Sequence, residues 1–314
     1  MPGHHPGLRG ARTRQRQVGR RTFARTLVLT AAAAALPSVA WPAAGRRLKV
    51  GHTGITWGFK PADAEQAIRD VASLGFHGFE SFGNVLEAWE AQGGLKRLLD
   101  ANGLPLHSAY CPVNLIDPAR RRDEVDKLVR WARLIRGAGG SVAVLGPNGV
   151  DRAAYRFAEH KTHIVEALND MGRAVADVGV VGALHQHTDT CVETRDETYA
   201  VMEAVDTRYV KFGPDVGQLQ KGGSDPARVV KDFLSVVHHV HMKDFDGGDH
   251  YLGYAPLGKG RVDLAGIAGL LESSGNDLMI MCELDPSPGQ PLAPLEAARV
   301  NKLAMAHLGY TFRS

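Results

Sequence analysis

Short runs of apolar residues alternate with longer amphipathic segments from Leu48 to the C-terminus. The short runs are typical of buried strands, and the longer segments repeat their apolar residues every three to four positions, as one face of a helix does. The predicted strands are 49–53, 78–81, 105–109, 141–145, 182–185, 209–212, 238–242 and 279–283. The predicted helices are 62–74, 85–102, 122–138, 160–178, 194–205, 226–235, 264–273 and 292–308.

Glycines mark the ends of several predicted helices. Gly75, Gly103, Gly179 and Gly275 each follow the last periodic residue, where a left-handed backbone conformation closes a helix. Eight strand–helix units in roughly 260 residues predict an α/β fold, a single (β/α)₈ TIM barrel over 46–314. An open doubly wound sheet is the alternative, but 51–54 lacks the glycine-rich fingerprint that follows the first strand of such sheets.

Charge is unevenly distributed along the chain. Of the 37 basic residues, nine lie in 1–47, which contains no acidic residue. The remainder of the chain therefore has 28 basic and 34 acidic residues. The body of the protein is therefore mildly acidic. A mildly acidic body argues against a nucleic-acid partner.

The N-terminus has the order of a targeting segment. An arginine-rich stretch ending in Arg20-Arg21-Thr22-Phe23 precedes an apolar run at 26–36 and small residues at 38–44. This order predicts a twin-arginine-type export signal and linker over 1–45, and hence a periplasmic or secreted protein. The apolar run is too short to span a bilayer, so no stable membrane insertion is expected.

Metal-binding residue types lie in or just after the C-terminal ends of four consecutive predicted strands, the ends that form the active-site face of a TIM barrel. They are His185, Asp215, His241 and Glu283. Alone, each has a structural explanation, since an Asp after a strand often caps the next helix. Together, two imidazoles and two carboxylates suit one divalent ion, with Mn²⁺ expected first and Co²⁺, Zn²⁺ or Fe²⁺ as alternatives.

The strand at 238–242 carries polar residues on one face. Alternation places His239, His241 and Lys243 together, with Val240 and Met242 on the other face. His239 is interpreted as a hydrogen-bonded core residue and His241 as a ligand. Further polar or aromatic residues near the predicted rim are candidates for substrate contacts: His52, Trp57, Glu80, His107, His187 and Gln218.

Four segments of this half of the chain resemble the sugar phosphate isomerase/epimerase family, and within it the inosose dehydratase branch. They read Leu-His-Gln-His-Thr-Asp-Thr at 184–190, Asp-Val-Gly-Gln at 215–218, His-Val-His-Met-Lys-Asp at 239–244 and Pro-Leu-Gly-Lys-Gly at 256–260. The resemblance implies a xylose isomerase-like TIM barrel. It also implies a divalent metal held by Asp215, His241 and Glu283 together with a residue after strand five.

The chain departs from the epimerase pattern at two positions. His185 stands where epimerases carry a glutamate, and Gln218 replaces the usual histidine. Because epimerases pass a proton between two metal-bound glutamates, a lone Glu283 favours one-sided proton abstraction.

The resemblance implies a sugar, keto-sugar or keto-inositol as substrate. A divalent ion bound to its carbonyl stabilises the charge that forms when the neighbouring proton leaves. Glu283 or His185 is expected as the base, with Glu80 as a further candidate, and Lys243 or His107 as the proton donor to a leaving oxygen. Return of the proton to the adjacent carbon gives isomerisation, whereas loss of a β-hydroxyl or alkoxide gives elimination by a dehydratase or keto-glycoside lyase.

Two other classes of protein stay open at this stage, as does a homo-oligomeric state. One is a non-catalytic exported sugar-binding barrel, which would retain its ligand after chelation. The other is an endonuclease-like phosphodiesterase, which would need more metal ligands and a basic groove.

Overall fold

The computed structural model describes residues 46–314, so the predicted export signal at 1–45 lies outside the described residues. Within them the predicted TIM barrel is confirmed. Its strands are β1 (Lys49–Thr53), β2 (Phe79–Phe82), β3 (Leu106–Val113), β4 (Val142–Pro147), β5 (Val181–Leu184), β6 (Val210–Phe212), β7 (Val240–Met242) and β8 (Met279–Cys282).

All eight strands run parallel, in the order β6-β5-β4-β3-β2-β1-β8-β7. Parallel bridges from Phe212 to Val237 and from Asp215 to His241 join the two outer strands of this order. The amide of His241 donates to the carbonyl of Pro214 at 2.9 Å across the same junction. The sheet therefore closes, and all strands end at one face of the barrel.

Helices surround the barrel: α1 (Ala64–Ser73), α2 (Gly83–Glu90), α3 (Leu95–Ala101), α4 (Arg121–Gly137), α5 (Phe157–Asp177), α6 (Arg195–Met202), α7 (Val216–Lys221), α8 (Pro226–Asp232), α9 (Leu264–Ser273) and α10 (Pro294–His307). No helix among residues 46–314 combines the length and the apolar character that crossing a bilayer requires.

Two differences from the predicted helices have a physical cause. The predicted helix at 85–102 is two helices, α2 and α3, because Gly93 and Gly94 adopt positive φ angles of 87° and 82° between them. The short helix α7 was not predicted. It begins where the side chain of Asp215 accepts a hydrogen bond from the Gln218 amide and caps the helix.

The main apolar core lies between the barrel and the helices. Val50, Val240 and Met242 are fully buried and belong to it, so the opposite faces of β1 and β7 point into the barrel. Alternation thus sends His239, His241 and Lys243 inward. The apolar layer positions the site by fixing which strand face lines the barrel interior.

The segment after β7 is folded against the barrel. Asp244–Phe245 pairs antiparallel with Tyr254–Ala255. The buried Asp244 carboxylate accepts hydrogen bonds of 2.9–3.1 Å from the amides of Phe245, Gly258, Gly260 and Val262. One carboxylate therefore fixes both ends of this segment.

Candidate active site

Residues from four strand ends converge at the C-terminal face of the barrel. One ligand atom each from His185, Asp215 and His241 lies within 4.8 Å of the other two. Glu283 joins them, since its Oε2 is 2.7 Å from His241 Nδ1. Met281 of β8 pairs with His241 of β7. This register brings Glu283, two residues after Met281, next to His241. The structure therefore brings together the four residues that the sequence nominated as ligands.

Several atoms in this cluster make no hydrogen bond to the described residues. They are Nδ1 of His185, Oδ2 of Asp215 and both ring nitrogens of His241. His241 nevertheless lies in ion-pair contact with two carboxylates, Nδ1 with Glu283 at 2.7 Å and Nε2 with Glu80 at 2.8 Å, contacts that a bound ion would share or displace. Buried polar atoms normally have hydrogen-bond partners. Nitrogen and oxygen atoms that converge on one point without bonding one another can instead be bridged by a metal cation. The residues therefore fit one divalent ion.

Asp215 has two separate roles, one for each carboxylate oxygen. Oδ1 accepts a 2.8 Å hydrogen bond from the Gln218 amide, and Gln186 holds the Asp215 carbonyl from the other side at 2.9 Å. Oδ2 points to the cluster, 3.4 Å from the Lys243 ammonium. Burial raises the pKa of Asp215 despite the nearby lysine. Helix capping and ligation are therefore compatible, because the cap fixes the orientation of the free oxygen.

The electrostatics favour the metal-binding protonation state at His185 and Glu283, whereas an ion would have to displace the proton that the raised pKa of His241 retains. Burial and the neighbouring His241 lower the pKa of His185 well below its usual value, so this imidazole is neutral. Burial opposes ionisation of Glu283, but His241 and Lys243 outweigh it and hold the pKa of that carboxyl well below its usual value. For His241 itself, burial is outweighed by Glu283 and Glu80, and its pKa is raised.

Glu80 lies deeper in the barrel, next to the cluster. Its Oε1 is 2.8 Å from His241 Nε2, and its Oε2 is 2.9 Å from His239 Nε2. Ser108 also donates a 2.7 Å hydrogen bond to Oε2. Burial is again outweighed by the two imidazoles, which hold the pKa of Glu80 well below its usual value. Predicted as a substrate contact, Glu80 has both oxygens engaged by the protein.

Lys243 is fully buried among carboxylates. Its Nζ lies 2.8 Å from Glu283 Oε1, 2.6 Å from Asp285 Oδ2 and 4.2 Å from the centre of the Tyr254 ring. Gly217 leaves room for the side chain, since a Cβ there would lie 2.8 Å from Lys243 Cγ. Burial is outweighed by Asp215, Asp285 and Glu283, and the pKa of Lys243 is raised well above its usual value. The ammonium is thus enclosed by protein groups.

A cavity of about 210 Å³ opens beside the cluster. Phe82 and Tyr110 form aromatic walls, and the ring of Tyr110 meets that of His185 edge-on with centroids 5.5 Å apart. The ionisable groups on the wall are Glu80, His185, His187, His241, Glu283 and Asp285. A small polar molecule therefore fits in contact with the predicted ligands.

His187 and Gln218 form the rim of this site. His187 Nδ1 lies 2.7 Å from the Thr188 carbonyl, and its Nε2 lies 2.7 Å from Gln218 Nε2. Gln218 is buried, and its Oε1 accepts a 2.7 Å hydrogen bond from Thr188 Oγ1. Of this pair, His187 reaches the cavity wall, and Gln218 holds it in place.

Three predicted substrate contacts lie away from this cavity. His52 packs toward α10, with Nε2 3.3 Å from Asn301, and the Trp57 indole donates to Asp70 on α1 at 2.7 Å. His107 lines a separate cavity of about 390 Å³ that also includes Lys49 and His238, residues at the start of β1 and just before β7. Strand alternation predicts that His52 points away from the barrel interior, because it lies on the same face of β1 as the core residue Val50.

The sequence assigned no role in the site to two of its residues. Asp285 lines the cavity, and Tyr254 covers Lys243. The position of Asp285 is predictable from the sequence, because strand alternation places it on the same face as Glu283. The position of Tyr254 is not, because it reaches Lys243 only through the folded segment after β7.

Fold and site together define a TIM barrel with a candidate metal centre at its C-terminal face. Residues 68–303 match the family model described as xylose isomerase-like TIM barrel, and the chain belongs to this family. The resemblance inferred from the motifs is thereby confirmed.

Curated relatives of the chain are inosose dehydratases. The enzyme of Clostridium botulinum (strain Alaska E43 / Type E3) is 27% identical over 256 residues, covering 73% of this chain and 85% of that protein. The enzyme of Clostridium beijerinckii is 25% identical over 263 residues, covering 75% of this chain and 87% of that protein.

Solved structures share the fold. The IolI protein with a bound zinc atom has a TM-score of 0.69 at 16% identity, covering 83% of this chain and 98% of that chain. The 3-keto-D-glucoside 4-epimerase YcjR of E. coli has a TM-score of 0.65 at 18% identity, covering 83% of this chain and 99% of that chain.

Proposed function

We propose that the protein is a divalent-metal-dependent dehydratase acting on a keto-inositol or a related keto-sugar. The observation that carries the proposal is the convergence of His185, Asp215, His241 and Glu283 beside the cavity. The inosose dehydratase relatives support elimination over isomerisation. So does His185, which takes the position where an epimerase would carry its second glutamate.

Each residue of the cluster has a defined task in this proposal. His185, Asp215, His241 and Glu283 would hold one divalent ion, for which we propose Mn²⁺, with Zn²⁺, Co²⁺ and Fe²⁺ as alternatives that imidazole and carboxylate ligands also bind. A bound divalent ion polarises a carbonyl and stabilises negative charge on its oxygen. Lys243 hydrogen-bonds Glu283 Oε1 at 2.8 Å and orients the carboxylate. Because its ammonium is enclosed, we assign Lys243 a positioning role in place of the proton donation that the sequence suggested.

The reaction balances with Glu283 as the proton carrier. Its ionised carboxylate takes the proton from the carbon next to the carbonyl, and that electron pair forms a carbon–carbon double bond. The carbon–oxygen bond at the next carbon breaks, and the departing hydroxyl receives the proton and leaves as water. The product is an α,β-unsaturated ketone, and Glu283 returns to its starting state.

The test is ultraviolet detection of that ketone. Purified protein is loaded with Mn²⁺ and incubated with a panel of keto-inositols and keto-sugars, with and without a chelator. We expect enone absorbance from at least one keto-polyol, its loss after chelation and its return with Mn²⁺. A metal-loaded protein that yields only stereoisomers, detected by nuclear magnetic resonance, would identify an isomerase instead. Ligand binding that survives chelation without turnover would identify a sugar-binding barrel.

A further inference from the structure

Asp285 is a carboxylate on the cavity wall that the ligand cluster does not use. It lies two residues after Glu283 and borders the same cavity as His185 and His241. Its side chain is 15% exposed, whereas that of its partner Lys243 is 0% exposed. Asp285 is therefore accessible to a molecule in the cavity, and Lys243 is not.

Lys243 fixes the position of Asp285. The ammonium lies 2.6 Å from Asp285 Oδ2 and is held from other sides by Glu283 and Asp215, at 2.8 Å and 3.4 Å. A buried ammonium cannot leave such partners without a large desolvation cost. The carboxylate of Asp285 is therefore held rigidly before any ligand arrives.

The second oxygen of Asp285 is available for a ligand. Among residues 46–314, the partner found for this carboxylate is Lys243, through Oδ2. A carboxylate can accept about four hydrogen bonds, so Asp285, which lines the cavity, retains acceptor capacity for a ligand. The natural donor for a fixed carboxylate oxygen in a small polar cavity is a hydroxyl group.

We propose that Asp285 accepts a hydrogen bond from one substrate hydroxyl and makes the site selective for polyols that carry it, with Lys243 as its positioning residue. This rests on the proposed function for the carbohydrate nature of the ligand. It goes beyond that function by assigning recognition to a residue outside the ligand set.

Binding, measured apart from turnover, tests this assignment. Myo-inositol and its monodeoxy analogues are titrated calorimetrically into Mn²⁺-loaded protein, and bound metal is quantified in every sample. For the wild type, we expect one analogue to bind about 10- to 100-fold more weakly than the parent, as for a hydrogen bond to a charged group. For Asp285→Ala, we expect the parent to weaken by a similar factor and that analogue to weaken no further.

Two further variants complete the design. Asp285→Asn keeps the shape of the side chain and should show the same loss of discrimination in part, which covers the case that Asp285→Ala does not fold. Asp249→Asn is the matched control, because it removes an equivalent charge from an exposed position in the segment after β7. It should bind all the polyols as the wild type does.

The outcomes separate this inference from the proposed function. Unchanged discrimination in a folded Asp285→Ala or Asp285→Asn variant would overturn the role of Asp285, as would a wild type that binds none of these polyols. Failure to form an enone from keto-polyols, with discrimination still dependent on Asp285, would instead reject the dehydratase reaction and leave the recognition role supported.

Discussion

Glu283 links the two halves of the site. Its Oε2 lies beside His241 and its Oε1 accepts a hydrogen bond from Lys243, so one side chain joins the ligand cluster to the buried ammonium. Glu283→Gln keeps the volume but removes the charge and the proton-accepting oxygen. We expect turnover to fall about 10²- to 10⁴-fold through loss of proton transfer, and metal affinity to fall as well. Steady-state kinetics with bound Mn²⁺ quantified in each sample measure both effects.

The control for that substitution is Glu296→Gln. It makes the same chemical change at a half-exposed residue in the first turn of α10, where the partner is Arg299. Its turnover should match that of the wild type. A fully active, metal-loaded Glu283→Gln variant would contradict the assignment, and His185 would become the next candidate for the base.

Gly217 tests how tightly Lys243 is packed. A Cβ at this position would lie 2.8 Å from Lys243 Cγ and 2.9 Å from its Cβ. Gly217→Ala should therefore lower the free energy of unfolding by about 1–3 kcal/mol, as overpacking does. At Gly137, in the last turn of α4, a Cβ would meet no neighbouring atom of the described residues within 4 Å, so Gly137→Ala should be neutral or stabilising by up to about 1 kcal/mol. Urea unfolding measures the free energy of unfolding of the two variants. Equal values would contradict the tight packing of Lys243 against Gly217.

For single residues, the sequence predicts where a side chain lies in the barrel better than it predicts which residues that side chain contacts. Strand ends were enough to nominate His185, Asp215, His241 and Glu283, because all C-terminal strand ends of a barrel meet at one face. The enclosure of Lys243 was not predictable in the same way. It depends on Tyr254, which reaches Lys243 only because the segment after β7 folds back, and on Gly217, whose importance lies in its missing side chain.

Among the elements, the segment after β7 depends on one residue. Asp244 accepts hydrogen bonds from four backbone amides that span the segment from Phe245 to Val262. Asp244→Ala would leave those amides without their partner. We expect a loss of about 3 kcal/mol or more in the free energy of unfolding, and faster proteolysis within 246–262. Urea unfolding and mass-spectrometric mapping of the first cleavage sites measure the two effects.

Asp263→Ala is the matched control for that element. Asp263 makes one capping hydrogen bond at the start of α9, to the Gly266 amide at 2.9 Å, so its loss should cost about 1 kcal/mol. If the two variants were equally stable and equally resistant to protease, the anchoring role of Asp244 would be wrong.

The period of the apolar residues was sufficient for the main elements and insufficient for the short ones. Strand β8 differs from its predicted range by one residue, and α9 has the predicted range. The Asp244–Phe245 pairing has only two residues in each strand, too few to establish a period. The break between α2 and α3 was readable in principle from the adjacent Gly93 and Gly94.

For the whole molecule, the closure of the barrel follows from eight strand–helix units of similar length, which is why the fold could be predicted. The fold does not determine where the protein resides in the cell.

We propose that the protein is exported by the twin-arginine-type signal at 1–45. The mature protein should then begin near residue 45 and be found in the periplasm or medium. N-terminal mass spectrometry of fractionated cells measures this, and an intact N-terminus found only in cytosol would contradict it.

The central claim is that His185, Asp215, His241 and Glu283 hold one divalent metal ion. The most direct measurement is anomalous diffraction at the manganese edge from crystals of the Mn²⁺-loaded protein. We expect one strong peak per chain, with ligand atoms of all four residues at roughly 2.0–2.3 Å, the range of metal–ligand bonds in proteins. A peak held only by Glu80, His239 and His241, or no peak in this end of the barrel, would contradict the claim.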